Sequence, residues 1–470
     1  MESTTRQFNE NARKGIANDK LQRALGKLSH GFPVKRLAAM ARLPEFEQLR
    51  DDARAIKEHT LANLGVYLER FEKKVIESGG HVHWAADAEE ARAIILKICR
   101  DVDAKTVTKG KSMISEEIAV NEHLEKNGIQ PIETDLGEYI IQLRGEAPSH
   151  IIAPAIHLSK DQVEESFRKE HTELPPERNL EEPRALLEEA RAMLRRKFIA
   201  ADVGITGANM LIAETGTSMI VTNEGNGDLT QTLPKTHIAI ASIEKVVPTL
   251  EDASTILRVL ARSATGQESA VYNTFSTGPK RADDPDGPEN YHVVLLDNGR
   301  SDMLGGEFHD MLRCIRCSAC LNHCPVYKAI GGHAYGWVYS GPMGAVLIPG
   351  LIGLAEAHDL PGASTFCGKC EEVCPMRIPL PRMLRSWRKR GYEAGLGPAK
   401  TRLGLNAWAF LARRPTLYRL LMNVGVGFLG LFGSRGRFRS LPLAKGWTSV
   451  RDLPAPEGRT FLSQWKGGKR

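Results

Sequence analysis

Outside residues 314–374 this chain of 470 residues contains a single cysteine, Cys99. That scarcity excludes a small disulfide-framed scaffold, whose cysteines would be spread along a short secreted chain. No apolar run of about 18 residues appears, so no transmembrane helix is expected. The nearest approach, Leu417–Phe432, is interrupted by Arg419 and by glycines and reads as a helix pair or a docking surface. Met1–Lys20 carries no apolar signal segment. Two nucleotide motifs fail on single residues. Gly110-Lys111-Ser112 would complete a P-loop only with glycine at 105, where Lys105 stands. Gly225-Asn-Gly227 opens a dinucleotide fingerprint, but residue 230 is Thr, so nothing supports a bound nicotinamide or flavin.

What is present begins with ordinary bulk. A hydrophobic content of 42% and a charged content of 26% fit a globular chain of two or three domains. The net charge of +6 hides a division: residues 377–470 hold 20 Lys+Arg against 3 Asp+Glu, and the remainder holds 43 against 54. A tail with that excess is expected to meet an anionic surface, either a membrane face or an acidic partner. Nucleic acid ranks last among the candidate partners and is not expected, since no helix-turn-helix, finger or RNP pattern accompanies the arginines.

The remaining seven cysteines form two runs. Cys314-Ile-Arg-Cys317-Ser-Ala-Cys320-Leu-Asn-His-Cys324-Pro325 has the C-x2-C-x2-C-x3-C-P spacing of bacterial [4Fe–4S] ferredoxins. Cys367-Gly-Lys-Cys370-Glu-Glu-Val-Cys374-Pro375 repeats it without the first cysteine, whose register falls on Ser364. In such pairs the last cysteine of each run ligates the other run's cluster. Cys314, Cys317, Cys320 and Cys374 are therefore expected to hold one cluster, and Cys324, Cys367 and Cys370 a second with an open corner. Ser364, water or nothing fills that corner, or the cluster is [3Fe–4S]. Structural zinc, which favours separated cysteine pairs, and disulfides are the weaker alternatives. Two iron–sulfur clusters imply electron transfer, and reduced thiols imply a cytoplasmic location.

Around these runs the pattern is mixed. Residues 1–70 read as charged helices, broken at Gly31-Phe32-Pro33. From 71 to 300 strands and helices alternate, which predicts a parallel α/β sheet. The expected strands are His81–Ala85, Thr106–Lys109, Ile129–Thr134, Met210–Glu214, Ser218–Thr222, His237–Ser242 and His292–Leu296. Asp87 and Glu90 form a capping box ahead of Ala91, Ile94, Ile95 and Ile98. Ser115 is expected to cap a helix that Gly128 ends, and Leu250–Ala261 reads as another helix. The cluster runs lie 42 residues apart with a helical stretch at Gly353–His358, which favours a helical ferredoxin module over 301–390; residues 391–470 form the basic tail. Glu214-Thr-Gly-Thr217 and Thr222-Asn-Glu-Gly-Asn-Gly227 suit either a ligand-binding sheet edge or plain turns. His150 and His157, flanking Pro154, are candidate substrate or metal ligands, although single histidines are more often structural.

Several motifs together resemble the lactate utilization protein B family. They are Thr108-Lys-Gly-Lys-Ser112, Glu133-Thr-Asp-Leu-Gly-Glu-Tyr139, Pro148-Ser-His-Ile-Ile-Ala-Pro154, Thr206-Gly-Ala-Asn209 and Arg281-Ala-Asp-Asp-Pro-Asp-Gly-Pro288. Cys314-Ile-Arg-Cys317, Gly331-Gly-His, Tyr339-Ser-Gly-Pro342, Gly446-Trp447 and Arg451-Asp-Leu-Pro454 add to them. The resemblance implies a lactate-utilization domain related to the NagB/RpiA/CoA-transferase group, then a ferredoxin module. It also implies an electron-transfer subunit among three proteins that oxidise L-lactate to pyruvate, delivering electrons toward a quinone-linked acceptor, with peripheral membrane contact as an option. Two alternatives stand beside it: a self-contained α/β enzyme acting on an acyl or phosphorylated substrate, and a relay for another 2-hydroxy acid such as glycolate.

Overall fold

Strands buried on both faces read as short apolar runs without polar alternation, and the central segments of this chain have that character. The computed structural model describes residues 3–28, 30–110, 112–432, 435–441, 448 and 451–467. Its strands before residue 300 are, in chain order, β1 His81–Ala85, β2 Thr106–Gly110, β3 Gln130–Glu133, β4 Val203–Gly207, β5 Met210–Ile212, β6 Thr217–Thr222, β7 Thr236–Ser242, β8 Val246–Val247, β9 Tyr272–Ser276 and β10 Asn290–Leu296. Six of them form one sheet in the order β1-β10-β7-β4-β2-β3, and every pairing is parallel. Strands β8, β5, β6 and β9 form a second sheet in that order.

Alternate residues of the central strands serve two cores. On one face Ile238, Ile240, Val294 and Leu296 pack with Ala91, Ile95 and Ile98 of the Ala88–Asp101 helix. On the other, Ala239, Ala241, Val293 and Leu295 pack with Leu64, Leu68, Phe71 and Val75 of the Leu64–Glu77 helix. The result is a parallel-sheet α/β core with helices on both faces, as the alternating pattern predicts.

Local departures from expectation have local causes. Asp87 caps its helix by accepting from the Glu90 N–H at 2.9 Å, but the Glu90 carboxylate reaches back to Ala86 rather than Asp87. Ser112, not Ser115, is the cap after β2, accepting from the Ser115 N–H at 3.2 Å. The expected single helix is split, because Ala119 turns left-handed (φ 53°) between Met113–Glu117 and Val120–Lys126. Strand β4 went unpredicted because glycine dilutes its pattern; a Cβ at Gly204 would lie 1.9 Å from the Thr230 carbonyl oxygen, so only glycine fits.

From residue 297 to 394 the chain is built of short helices and turns, with no strand among its described residues. The N-terminal helices pack against it. Phe8, Leu25, Phe46 and Leu49 share one apolar core with Leu321, Tyr327, Val346 and Leu384.

A buried ionic chain joins this region to the α/β sheet. The Arg300 guanidinium clasps Glu117 through two hydrogen bonds of 2.9 and 2.7 Å. Asn298 and the Tyr339 hydroxyl donate to the same carboxylate at 2.7 and 2.5 Å. Arg300 Nε lies 3.1 Å from Glu244, and Arg316 Nη2 lies 3.4 Å from the other oxygen of that carboxylate. Lys57 donates to the Glu244 carbonyl oxygen.

The chain divides into two compact units, 1–394 and 395–470. In the second, residues Leu417–Phe432 belong to one continuous helix, Pro415–Phe432, preceded by the helix Ala399–Ala412. Neither helix has a buried residue. No helix of the described residues is long and apolar enough to cross a membrane.

Removing one partner of a buried pair strands the other charge. Arg300→Met is expected to cost about 3–5 kcal/mol in denaturant titration, and a loss below about 1 kcal/mol contradicts the bridging role. The pair also sets an acid limit. Burial alone would raise the Glu244 carboxyl, but Arg300 and Arg316 outweigh it and hold it at about 2, below its ordinary 4.5. Its stabilising contribution is complete above pH 4.5 and is lost as pH falls from there toward 2. Glu244→Gln should flatten that part of the stability-versus-pH curve.

Candidate metal centre

The C-x2-C spacing needs a backbone that reverses between cysteines, and the structure shows how it is achieved. Arg316 and Ser318 both lie in the left-handed region, at φ 58° and 63°. Non-glycine residues enter that region rarely and cluster at functional sites when they do. The second run repeats the device, with Phe366 at φ 54° and Gly368 at 81°. Ser318 and Gly368 each precede a one-turn helix, Ala319–His323 and Lys369–Glu372. The two runs are thus superposable turn for turn at an offset of 50 residues, which sets Cys317, Cys320 and Cys324 against Cys367, Cys370 and Cys374.

The same offset sets Cys314 against Ser364. The Arg316 N–H approaches Cys314 Sγ at 3.5 Å, and the Phe366 N–H donates to Ser364 Oγ at 3.1 Å. Serine oxygen makes the contact that sulfur makes in the first run.

Cys314, Cys317, Cys320 and Cys374 line one cavity together with Met311, Ile315, Met343 and Ile378. Burial, with the facing Cys374 sulfur next, pushes the Cys317 thiol up to about 12. Burial raises Cys374 to about 11, with the Cys314 sulfur adding to it. The other three cysteines form a second neighbourhood. Burial and then the Cys324 sulfur push Cys370 up to about 12, and Cys367 also faces it. Cys367 is exposed, and its thiol is lowered, first by the Lys369 N–H. Arginines clamp the second run from outside: Arg50 donates to the carbonyls of Glu372 and Cys374 at 2.7 Å each, and Arg36 to that of Val373 at 3.0 Å.

Among the described residues, no group of three or more His, Cys, Asp or Glu converges tightly enough to hold a single metal ion. A tetrahedral zinc with bonds of about 2.3 Å to sulfur demands such convergence. Four thiols lining one cavity, in the C-x2-C-x2-C arrangement, fit an iron–sulfur cluster. Cys99 stands apart; burial in the α/β core raises its thiol to about 12.

The two histidines are not drawn to this centre. His150 is buried, with Nε2 on Asn322 Oδ1 at 3.0 Å and Nδ1 accepting from the Ile152 N–H at 3.2 Å. Burial lowers it to about 4, so it is neutral near pH 7. His157 is held between Ser149 Oγ at 2.7 Å and Glu146 at 2.9 Å. Both rings have each nitrogen engaged, which leaves no lone pair for a metal. Glu214–Thr217 is the tip of the β5–β6 hairpin, and Gly216 (φ 69°) packs there against Lys74 and Val75.

Three family models match. Residues 68–296 match the LUD domain, 310–378 the 4Fe-4S dicluster domain, and 378–469 the C-terminal region of lactate utilisation protein B. Lactate utilization protein B of Bacillus licheniformis is 42% identical over 464 residues, covering 98% of this chain and 96% of that protein. The protein of the same name from Anoxybacillus flavithermus is 43% identical, covering 98% of each. The chain belongs to the lactate utilization protein B family.

A third relative, from Escherichia coli, is named an uncharacterized electron transport protein, YkgF, and is 41% identical over 98% of this chain and 96% of that protein. A crystal structure of a DUF162 family protein from Deinococcus radiodurans is 16% identical, covers 50% of this chain and 98% of that one, and has a TM-score of 0.25, too low to bear on the fold. The family-model matches establish a LUD domain with a parallel-sheet core followed by an iron–sulfur module.

Two of the lactate utilization protein B motifs, Pro148–Pro154 and Gly331-Gly-His, meet where the LUD domain and the iron–sulfur module touch. Gly332 sits against Ser149, where a Cβ would fall 1.7 Å from its carbonyl oxygen. Tyr327 donates to that oxygen at 2.8 Å, and His333 Nε2 reaches the Ala147 carbonyl at 2.8 Å. Glu133 pairs with the buried Lys109 at 2.7 Å. Lys111, Gly446 and Trp447 lie outside the described residues. Sequence reasoning missed Glu117, Glu244, Arg300 and Arg316 as a group. Only the Arg316 position, inside Cys-Ile-Arg-Cys, offered a signal.

If His150 is structural, His150→Leu should leave Asn322 half-satisfied and cost about 1–3 kcal/mol while iron content stays unchanged. Loss of iron in that variant would restore the ligand reading.

Proposed function

We propose that this chain is the electron-transfer iron–sulfur subunit of a system that oxidises L-lactate to pyruvate. The single observation that carries the reading is the division of seven cysteines into a set of four around one cavity and a set of three beside it. The absent nucleotide fingerprints and the relatives' printed names support it. When bound, such clusters supply one-electron transfer, with potentials set by ligation, hydrogen bonding and solvent exposure. The chain's own residues do the rest. Leu321, Ile378 and Leu380 shield the first cysteine set from water, while the Arg36 and Arg50 contacts fix the turn of the second run. The domains divide as 1–70, 71–300, 301–390 and 391–470, with the α/β part a NagB/RpiA/CoA-transferase-type domain.

In this reading Cys314, Cys317, Cys320 and Cys374 hold a first [4Fe–4S] cluster. Cys324, Cys367 and Cys370 hold a second, and Ser364 Oγ stands at its fourth corner by analogy with Cys314. Two other subunits supply the lactate-oxidising chemistry and the onward path. The basic unit 395–470, whose two long helices expose Leu403, Trp408, Leu420 and Phe428, docks a partner or the anionic inner face of the membrane near a quinone-linked acceptor. The location is cytoplasmic, peripheral at most.

The ligand map has a crossed signature. Cys374→Ser should abolish the first cluster's EPR signal although it lies in the second run, and Cys324→Ser should abolish the second's. Losses confined to each variant's own run would overturn the map. Ser364→Ala should shift the second cluster toward a [3Fe–4S] signal, and Ser364→Cys should restore [4Fe–4S]; no change in either means Ser364 is a loop residue.

A further inference from the structure

Parallel α/β sheets bind ligands in the crevice beyond the carboxyl ends of their strands. Here the first cysteine run stands across that crevice. A cavity of about 160 Å³ lies between Ser112, Gly207, Asn209 and Ser242, which follow or end β2, β4 and β7, and Arg316, Cys317 and Tyr339 of the module. Its remaining wall mixes polar and apolar groups, with Thr222 and Gln267 beside Ala241, Ala261, Ala264 and Ile151.

Two cations face it. Lys245 lines the cavity and makes no hydrogen bond or ion pair within 4 Å among the described residues. Arg316 lines it with 10% of its side chain exposed; Nη2 touches Glu244, but Nη1 has no hydrogen-bond partner. Glu117 and Glu244 are already engaged by Arg300, so the nearby carboxylates are outnumbered by Lys57, Lys245, Arg300 and Arg316. Burying an ammonium without a counter-ion costs several kcal/mol, and a built cavity with spare guanidinium and ammonium donors is how proteins hold a carboxylate.

We propose that this cavity binds a small carboxylate, of the size of a three-carbon 2-hydroxy or 2-oxo acid, with Lys245 and Arg316 as its cationic partners. Volume sets the class. A cavity of about 150 Å³ holds benzene, a molecule with as many heavy atoms as lactate or pyruvate. Asn209 and Ser112 supply polar groups for the second oxygen function, and the alanines leave room for a methyl group. The acid would lie against Cys317, a member of the first cysteine set. In naming lactate and pyruvate the site rests on the lactate reading above; in its cavity and cations it does not.

The test is calorimetric titration of anaerobically reconstituted full-length protein with L-lactate, pyruvate, acetate and inorganic phosphate, alongside iron content and EPR. L-lactate or pyruvate should bind more tightly than acetate or phosphate. Lys245→Met should weaken that binding at least tenfold at unchanged iron content, and Ala264→Leu, which fills the cavity without touching a charge, should do the same. Absence of binding, equal or tighter binding of phosphate, or indifference to both variants would overturn the site and leave these cations to balance cluster charge alone. Cluster reduction by partner subunits, read separately, would survive such a failure, so the relay and the site fall independently.

Discussion

The arrangement depends on a buried chain of alternating charge, Glu117–Arg300–Glu244–Arg316. Glu117 comes from the helix after β2, Glu244 from the turn after β7, Arg300 from the segment after β10, and Arg316 from within the first cysteine run. These four side chains pin the carboxyl edge of the sheet to the loop that carries Cys314 and Cys317. Each alone would be expensive to bury; together they compensate. The consequence is geometric: the first cysteine set is held at a sheet edge, where α/β domains recognise ligands, instead of on a separate mobile module.

The second constraint is the repeated turn. Left-handed residues at 316 and 318 recur at 366 and 368, and the backbone of the second run keeps its shape although its first cysteine is serine. The repeat therefore belongs to the backbone, and at the first ligand position the difference is one atom, oxygen in place of sulfur. Cys367 near that corner is exposed, whereas no cysteine of the first set is, so the two cysteine sets differ in their access to solvent. Exposure and ligation are the levers that separate cluster potentials, so a pair built this way suits a directional relay.

Much of this was legible in the sequence because it is written locally. The seven cysteines and Ser364 announce the two runs by spacing alone, and β7 and β10 announce themselves by apolar runs. What was not legible is written at long range. Glu117 and Tyr339 lie 222 residues apart and meet at 2.5 Å, a pairing no periodicity encodes. Strand β4 was hidden by Gly204, whose missing side chain makes room for Thr230. Ser112 took the cap from Ser115 because Ala119 breaks the helix that Ser115 would have begun. The histidines stood in sequence as candidate ligands beside the more common structural reading, and their partners Asn322, Ser149 and Glu146 show them to be struts.

The central claim is that electrons from a 2-hydroxy acid pass through this chain, while the acid is oxidised with the help of other subunits. Anaerobic EPR of the protein mixed with L-lactate tests it most directly, first alone and then with its partner subunits. The account predicts two cluster signals that stay unchanged by lactate in the isolated chain and become reduced once the partners are added. Reduction of the clusters by lactate in the isolated chain, or turnover of an acyl-CoA or sugar phosphate by it, would contradict the account.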